Sequence, residues 1–457
     1  MRGVDEGPPP APSELRRAVG VRARDEGPPQ GSSELRRAVG VREAVAPDGH
    51  SGQRAIRRAN LSAVARLVAA EGPRSRATIA LRTGFNKSTV SSLVAELLEL
   101  GLLAETGEEE HPGRVGRPAR TVSLNAGHVA AAGLEVNVDH LWVCVVDLAG
   151  HLLHAERVVA ANGAGRPAPV LDELARLAAS AIAGAEAQGV RVVGAGVALP
   201  GLVDRRDNRL VVAPNLGWRE VPVGAELARR LERPGLLLTI DNEANLAALA
   251  EHWDGAARDL DDFVCVSGEV GIGGGVVVGG ELFRGTHGFG GELGHVVVDP
   301  AGARCACGAR GCLETVAGQD AVLRAAGVPP AAGAAELLTR AGAGDERAIV
   351  ALDAAGHALG IALTAVVNVL DPSAVLLGGY LAPFTPWLEG PISAELGRRV
   401  LASAWSGCEI RAAGIGQGAA ARGAAAGVLR TILADPALIA VASHEALPVR
   451  YDSPVGR

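Results

Sequence analysis

One histidine and three cysteines lie close together in a glycine-rich stretch of the chain. His295 is followed by Cys305, Cys307 and Cys312 in GHVVVDPAGARCACGARGC. One imidazole and three thiols are ligand types that complete a tetrahedral zinc site. Because four protein ligands leave no open position for water, we expect a structural zinc and not a catalytic one. The alternative is three unconnected thiols beside an unrelated histidine.

Polar residues also stand where a predicted strand passes into a predicted helix. The strand LLLTIDN ends at Asn242, and the helical stretch DNEANLAALAEH begins at the same point. Small molecules bind layered α/β proteins at such strand ends, so Asn242 and Glu243 are predicted at the mouth of a cleft. Glu292 and Glu314 flank the predicted metal ligands. A carboxylate or an amide can form two hydrogen bonds at once, one with each of two neighbouring hydroxyl groups.

A third polar group begins a predicted helix nearer the front of the chain. Such side chains can reach base edges and phosphates in a major groove. Arginines on the loop and strand that follow can enter a narrow minor groove. A three-helix protein-interaction module with a solvated polar face is the alternative. The predicted DNA-binding residues are Asn86, Lys87, Ser88, Thr89, Ser91, Arg114 and Arg117, with Arg120 beside them.

The elements around these residues predict a winged helix-turn-helix at residues 53–125. A helix from Arg57 is ended by Gly72 and Pro73, Ser75 caps a short second helix, and Asn86 opens a third. A strand from Leu102 and a returning strand at 121–124 would close a wing. The residues predicted to face inward are Leu61, Val64, Ala65, Leu67, Val68, Val90, Leu93, Val94, Leu97, Leu98 and Leu100.

From Val129 onward, strand-like runs alternate with helical segments, which favours layered α/β architecture over residues 126–435. LWVCVVDLAGHLLHAERV predicts a hairpin about Ala149 and Gly150. Residues 436–457 show no period and are set apart as a tail. The other strand-like runs are AAGLEVN, VVGAGVAL, LLLTIDN, FVCVSGE, GGGVVVGG and AVLLGGY.

Length, net charge and apolar content limit the kinds of protein that this chain can be. The 457 residues exceed what one hydrophobic core serves, and a net charge of -7 restricts any DNA contact to a local surface. We find no apolar span of membrane length and no secretion signal, so we expect a cytoplasmic protein with no membrane partner. Residues 1–52 contain Asp5–Arg22 repeated as Asp25–Arg42, which we expect to be disordered; a wrongly assigned start codon is the alternative.

Several motifs together resemble the ROK family, which contains bacterial glucokinases, N-acetylmannosamine kinases and sugar-responsive repressors. The resemblance runs from about Leu61 to Arg430. It implies a two-lobed, actin-like (ribonuclease-H-like) sugar-kinase fold behind the winged helix-turn-helix. The motifs, besides that head, are GRPAR, ALPGLVD, APNLGW, DNEANLAALAE, GIGGGVVVGGELFRGTHGFGGELGH and CACGARGCLE.

The resemblance also implies which residues hold a sugar. His295 would serve twice, with one ring nitrogen on zinc and the other facing the sugar, because the metal fixes its tautomer. Gly201 and Asn215 are secondary candidates, since a glycine can simply form a turn and an asparagine can simply cap it. The residues that match the family's sugar-binding positions are Asn242, Glu292, His295 and Glu314, together with Glu243 and Gly201.

The chain departs from the family's kinases at two places. Their phosphate loop reads Asp-x-Gly-Gly-Thr, but Glu135 replaces the Asp here, and Asn137 and Val138 replace Gly and Thr. Glu243 stands where the kinases have a catalytic Asp, and its extra methylene displaces the carboxylate. We therefore expect no ATP binding and no catalytic residue, although the glycine stretch at 271–275 remains.

The sequence thus predicts a sugar-responsive transcriptional regulator, a repressor of carbohydrate genes, that binds operator DNA as a homodimer or homotetramer. Two alternatives stay open. One is an ATP-dependent sugar kinase that works through Glu243, and the other is an architectural regulator whose cleft holds no sugar.

Overall fold

The computed structural model describes residues 49–110, 119–163, 165–404 and 407–441. The repeat at 5–42, Arg114 and Arg117 lie outside these ranges. The chain divides into two units after Arg54, and the unit that begins at Ala55 holds almost everything described below.

The front of the second unit is a winged helix-turn-helix. Its sheet is antiparallel, with strand order β1-β3-β2. As predicted, Ser75 caps the second helix by accepting a hydrogen bond from the Thr78 amide, and Gly84 ends it with φ at 72°. The elements are α1 (Gly49–Glu71), β1 (Arg74–Ser75), α2 (Arg76–Thr83), α3 (Lys87–Glu99), β2 (Leu103–Glu110) and β3 (Ala119–Leu124).

The start of α1 differs from the prediction. The helix begins at Gly49, two turns before Arg57 and inside the segment predicted as disordered. The stretch from Gly49 to Ala59 contains three arginines and only one large apolar residue, Ile56, so it has no apolar period and periodicity alone missed it. Most of the predicted inward residues are buried. Leu67, Leu98 and Leu100 are only partly buried and pack at the edge of this core.

The first lobe is built on a five-stranded sheet with order β11-β7-β4-β5-β6. β4, β7 and β11 run parallel, and β5 and β6 form the predicted hairpin. Two helices cover one face, and a small three-stranded sheet follows β7. The elements are β4 (Val129–Val136), β5 (His140–Asp147), β6 (Leu152–Val159), α4 (Pro167–Glu186), β7 (Arg191–Leu199), β8 (Leu202–Asp204), β9 (Arg209–Ala213), β10 (Trp218–Val221), α5 (Val223–Leu231) and β11 (Leu237–Asn242).

The second lobe has a five-stranded sheet with order β14-β13-β12-β15-β16 and a group of helices that share its core. A 3-10 turn, Leu293–His295, and the cysteine loop precede those helices. The elements are β12 (Phe263–Gly268), β13 (Ile272–Val278), β14 (Glu281–Leu282), α7 (Glu314–Ala317), α8 (Gln319–Ala326), α9 (Gly333–Gly342), α10 (Glu346–Leu370), β15 (Ala374–Gly379), α11 (Thr385–Arg399) and β16 (Glu409–Ala412).

Among the described residues, one helix, α10, is long and apolar enough to cross a membrane by length and composition alone. An 18-residue window of this helix has a mean hydropathy of 1.7, although it contains Asp353 and His357. These two polar residues interrupt the apolar run in the sequence. Half of that window is buried, and Leu352, Leu359 and Leu363 belong to the core of the second lobe. This burial is typical of the central helix of a globular body.

Two helices join the lobes. α6 (Glu243–Asp254) packs on β12 and β13, and α12 (Ala419–Ala434) packs on β4 and β7. They cross each other at Gly423, where an added Cβ would lie 1.7 Å from the Leu246 carbonyl oxygen. After α12, the short helix α13 (Ala437–Val441) buries Ile439, so the first residues of the predicted tail pack on the body.

Candidate functional site

The four predicted metal ligands come together. The ligand atoms of His295, Cys305, Cys307 and Cys312 all lie within 4.8 Å of one another. Cys307 Sγ is 3.7 Å from Cys312 Sγ, and Cys305 Sγ is 3.7 Å from His295 Nδ1. A tetrahedral zinc with its usual bond lengths places sulfur atoms about 3.8 Å apart and sulfur about 3.6 Å from nitrogen. These four side chains could therefore hold a tetrahedral metal ion such as zinc.

The cysteine loop owes its shape to one close backbone approach. Isolated bridges pair Val297 with Cys312 and Arg304 with Arg310. Gly311 lies between them with φ at 68°, and a Cβ there would fall 1.5 Å from the Asp299 carbonyl oxygen. Only glycine fits this position, which brings Cys312 back toward His295.

An open cavity of about 580 Å³ lies beside the cluster of His295 and the three cysteines, between the ends of β7 and β11 and the second lobe. Asn215 and the glycine stretch at 271–274 also line it. The structure brings together all six residues predicted to bind sugar, namely Gly201, Asn242, Glu243, Glu292, His295 and Glu314.

Asn242 also has a structural role, which was not predicted from the sequence. It is the N-cap of α6, where its Oδ1 accepts hydrogen bonds from the Ala244 and Asn245 amides at 2.8 and 3.2 Å. Its Nδ2 donates to the Gly201 carbonyl oxygen at 3.0 Å. An Asn just before a helical run is a typical N-cap pattern, so the sequence did contain this information.

His295 presents its two ring nitrogens to different partners. Nδ1 faces the Cys305 thiol, and Nε2 lies 3.9 Å from Glu292 Oε2 on the cavity side. Cys305 Sγ in turn donates a hydrogen bond to Glu314 Oε1 at 3.1 Å. This orientation is the one that a histidine shared between metal and sugar requires.

A second cavity of about 430 Å³ adjoins the first, and Glu243 borders both. We call this second cavity the carboxylate pocket, because Glu135, Glu243, Glu251 and Glu269 line it. Glu251 accepts hydrogen bonds from the Gly414, Ile415 and Ala256 amides. By contrast, Glu135 Oε2 and Glu243 Oε2 are buried with no hydrogen-bond partner among the described residues.

Burial and repulsion between neighbouring acids disfavour the charged forms of Glu243 and Glu269. Burial, with added repulsion from Glu269 and Glu135, raises the pKa of Glu243 well above its usual value. Burial and Glu135 raise the pKa of Glu269 to about 7. Burial lowers the pKa of His140, but Glu135 and Asp139 outweigh it and the net shift is upward. The sequence analysis missed Glu269, although an acid directly after a buried strand is a usable signal.

An ion-pair group around the buried Asp241, next to the site, was also missed. Asp241 Oδ2 binds Arg284 Nη2 at 2.8 Å and Arg205 Nε at 3.1 Å. Asp241 Oδ1 accepts a hydrogen bond from the Asn242 amide. The group therefore fixes the strand end that carries Asn242 against the loop that leads to Glu292.

The predicted DNA-contacting residues lie at the start of α3. Asn86, Lys87, Ser88 and Ser91 are exposed and Thr89 is half-buried. Asn86 Oδ1 caps α3 by accepting from the Thr89 amide at 2.8 Å, and it also accepts from the Ser88 hydroxyl at 2.7 Å. Arg120 is exposed and forms an ion pair with Glu105 at 3.3 Å.

Comparison with known families matches residues 131–431 to the ROK family. The chain belongs to the ROK family. A xylose repressor of Bacillus subtilis strain 168 is 31% identical over 373 residues, which are 81% of this ROK chain and 95% of the repressor.

This ROK chain is similar to the solved structures of both a regulator and a kinase. A ROK transcriptional regulator, a homologue of the Escherichia coli MLC protein, covers 85% of this chain and 99% of its own, with 26% identity and a TM-score of 0.72. A ROK glucokinase of Streptomyces griseus, in complex with glucose and AMPPNP, covers 65% of this chain and 98% of its own, with 28% identity and a TM-score of 0.56. The regulator covers more of this ROK chain than the kinase does. The predicted fold class, a winged helix-turn-helix followed by a two-lobed sugar-kinase fold, is confirmed.

The residues that the sequence resemblance matches to the kinase phosphate loop, Glu135 and Asn137, are buried in the structure. β4 carries Glu135, which is 4% exposed, and the strand is followed by Asn137, which is 2% exposed. The Asn137 backbone carbonyl accepts from Asn162 Nδ2 at 2.8 Å.

Proposed function

We propose that this protein is a sugar-responsive transcriptional repressor in the cytoplasm, in which a sugar bound between the lobes changes the affinity of the head for operator DNA. The observation that carries the proposal is the match to a xylose repressor over 95% of that repressor's length and 81% of this chain. The carbohydrate-compatible cavity beside a metal cluster supports it.

The sugar is held, in this proposal, by Asn242, Glu292, His295 and Glu314, with Glu243 and Gly201 at the edge. Vicinal hydroxyls can donate to the carboxylates and accept from the remaining Asn242 Nδ2 hydrogen and from His295 Nε2. A zinc ion on Nδ1 would fix the proton on Nε2 and brace the loop that carries Glu314. The zinc is structural because the four protein ligands complete its tetrahedral shell.

Phosphorylation is not part of the proposed function. By the sequence resemblance, Glu135 and Asn137 replace residues of the kinase phosphate loop and Glu243 replaces the catalytic base; Glu243 lies among other acids. A buried carboxyl with a raised pKa can still accept a proton, so a sugar kinase that works through Glu243 is the competing function. It requires Mg-ATP to enter a pocket lined by four carboxylates.

The DNA surface is formed by the first turn of α3, with Asn86, Lys87, Ser88, Thr89 and Ser91 toward the major groove and the wing arginines Arg114 and Arg117 toward the minor groove. Two heads of a homodimer, or of a homotetramer, would bind half-sites about one helical turn apart or a multiple of it.

A gel-shift and footprint titration on the upstream region of the protein's own gene tests the proposal. We expect a protected, two-fold symmetric site whose affinity changes when a sugar from a hexose, pentose and amino-sugar panel is added at fixed salt. Lys87→Ala should weaken binding and reduce the salt dependence, while Glu389→Ala, on an exposed turn of α11, serves as the matched control. Binding that is sequence-independent or blind to every sugar would contradict the proposal.

The kinase alternative is tested with a coupled ADP-release assay on the same panel. We expect no turnover above that of the Glu243→Gln variant. Turnover that Glu243→Gln abolishes would favour the kinase. Metal analysis of the same preparation should find about one zinc per chain, lost in Cys312→Ser and kept in Cys408→Ser.

A further inference from the structure

We propose that Cys307 and Cys312 are a site of oxidation by peroxide, and that the disulfide formed between them displaces a zinc ion from the cluster of His295 and the three cysteines and disables the sugar cavity. Cys307 is the thiol that reacts with peroxide, and Cys312 completes the disulfide. The effect on sugar rests on the proposed function, whereas the oxidation itself does not.

Cys307 is the accessible member of the cluster. Of the chain's six cysteines, all of which lie in the described ranges, Cys307 alone is exposed. The other two cysteines of the cluster are buried, as are Cys144 and Cys265, and Cys408 is partly buried. Peroxide oxidises the thiolates that it can reach, so it meets Cys307 first.

A tight turn holds Cys307 outward. The Cys305 amide donates to the Ala309 carbonyl oxygen at 2.9 Å, and the Gly308 amide donates to the Cys305 carbonyl oxygen at 3.0 Å. Gly308 has φ at 97°, a conformation that favours glycine. Cys307 therefore stands near the tip of the turn, while Cys305 at its base is buried.

Cys312 supplies the second sulfur. Its Sγ is 3.7 Å from Cys307 Sγ, and a disulfide bond is about 2.05 Å long, so the two atoms must approach by about 1.7 Å. Cys305 Sγ has other partners, with His295 Nδ1 at 3.7 Å and Glu314 Oε1 at 3.1 Å. This arrangement favours a disulfide from Cys307 to Cys312 over one to Cys305.

Peroxide is the oxidant that the reaction needs. The Cys307 thiolate attacks one peroxide oxygen, the O–O bond breaks, and the hydroxide that leaves takes up a proton to give water. The Cys312 thiolate then attacks the sulfur of the Cys307 sulfenic acid. The S–S bond forms, the S–O bond breaks, and the departing hydroxide is protonated to a second water. The two sulfurs together lose two electrons, which the peroxide gains.

The disulfide and a bound zinc ion exclude each other. The cluster offers four ligands, and the disulfide removes two of them as thiolates, so His295 and Cys305 alone cannot complete a tetrahedral shell. Cys307, His295 and Glu314 also line the sugar cavity. Oxidation therefore frees His295 from the metal that fixes its tautomer and changes the wall of the cavity.

Peroxide treatment of the reduced, zinc-loaded, full-length protein tests the inference. A chromogenic chelator follows zinc release, and peptide mass spectrometry maps the disulfide. We expect release of about one zinc per chain, a Cys307–Cys312 linkage with a mass loss of about 2 Da, and recovery of zinc binding after dithiothreitol. Zinc retention with intact thiols, under conditions that fully oxidise N-acetylcysteine, overturns the inference. A disulfide that links any other pair overturns it as well.

Two variants separate this pair from the other cysteines. Cys307→His keeps four zinc ligands, two cysteines and two histidines, but removes the reactive thiol, so its zinc release should be slower by about tenfold or more. Cys408→Ser, outside the cluster, should release zinc at the parent rate. Release at the parent rate from zinc-loaded Cys307→His overturns the inference. If Cys307→His fails to load zinc or to fold, the disulfide map of the parent decides.

Calorimetry with D-xylose, D-glucose and N-acetyl-D-glucosamine tests the consequence for the cavity. We expect oxidation to weaken the binding of the sugar that the reduced protein binds by about tenfold or more, and dithiothreitol to restore it. Oxidised, zinc-free protein that binds this sugar as tightly as the reduced protein overturns the link to the cavity. If the reduced protein binds none of them and its operator binding ignores them all, the proposed function fails, and zinc release still decides the oxidation.

Discussion

Glu269 shows how much of the site depends on residues brought together by the fold. It follows β12 and lines the carboxylate pocket with Glu135 and Glu243, which come from the other lobe and from the helix between the lobes. The potential metal ligands could be predicted from their types and short spacing. Glu269 itself could have been found as an acid directly after a buried strand, but its contact with Glu135 and Glu243 and the Asp241 ion pairs could not, because no sequence period reports a contact between separate elements.

The raised pKa of Glu269 predicts a pH-dependent stability. Its pKa moves from about 4.5 when exposed to about 7 in the fold, so the folded state binds more protons between these values. This contribution to stability is complete below pH 4.5 and is lost as the pH rises through 7. Glu269→Gln should therefore raise the melting temperature by a few degrees at pH 8 and leave it almost unchanged at pH 5. The measurement is thermal unfolding at both pH values.

The exposed Glu389 is the matched control for this prediction. Glu389→Gln should shift the melting temperature equally little at pH 5 and pH 8. A Glu269→Gln variant that is destabilised at pH 8 more than at pH 5 would show that the carboxylate is paired and charged in the folded protein.

At the scale of single elements, caps and turns were the most predictable features. Ser75, Gly84 and Asn86 act as predicted because capping depends on local geometry, which residue type alone can specify. The start of α1 was not predictable from apolar periodicity, since its first turns are polar. The crossing of α6 and α12 was not predictable either, because their positions in the chain are far apart.

Asn86 is expected to affect stability as well as DNA binding. Its Oδ1 accepts from the Thr89 amide at the start of α3. Asn86→Ala should lower the free energy of unfolding by about 1 kcal/mol, while Asn86→Asp should retain the cap. Urea unfolding measures the difference. Lys87→Ala, next to it and exposed, should leave stability unchanged, and equal losses in both variants would contradict the capping role.

Gly423 is required where α12 crosses α6. A Cβ at this position would lie 1.7 Å from the Leu246 carbonyl oxygen, so the helices must separate to accommodate it. Gly423→Ala should lower the free energy of unfolding by about 1–3 kcal/mol. Gly427→Ala lies on the same helix with its nearest neighbour, a Leu249 side-chain carbon, at 3.5 Å, and should be neutral or stabilising. Chemical denaturation of both variants decides, and similar effects would contradict the argument.

Across the whole molecule, the DNA-binding head and the body share one hydrophobic core. Leu61, Val64 and other head residues pack in the same cluster as Val428, Leu429 and Ile439 of the body. An Arg58–Asp435 ion pair spans the same junction. The sequence predicted the order of the two parts but not this shared core, because α1 and α12 stand at opposite ends of the described chain. The boundaries at 125 and 435 remain predictions.

Ile439 provides a test of that shared core. It is 1% exposed, and its backbone oxygen accepts a hydrogen bond from Arg191 at 2.9 Å. Ile439→Ala should lower the free energy of unfolding by about 2–5 kcal/mol, because it removes a buried side chain that packs in a cluster common to head and body. Hydrogen exchange should then become faster in α1 and α3 as well as in α12, and operator affinity should fall. Leu401→Ala, at a position that is 88% exposed, is the matched control and should change none of these quantities. If exchange in α1 and α3 stayed at the parent rate while α12 loosened, the head would be folding independently of the body, and a sugar signal would need another path to reach DNA.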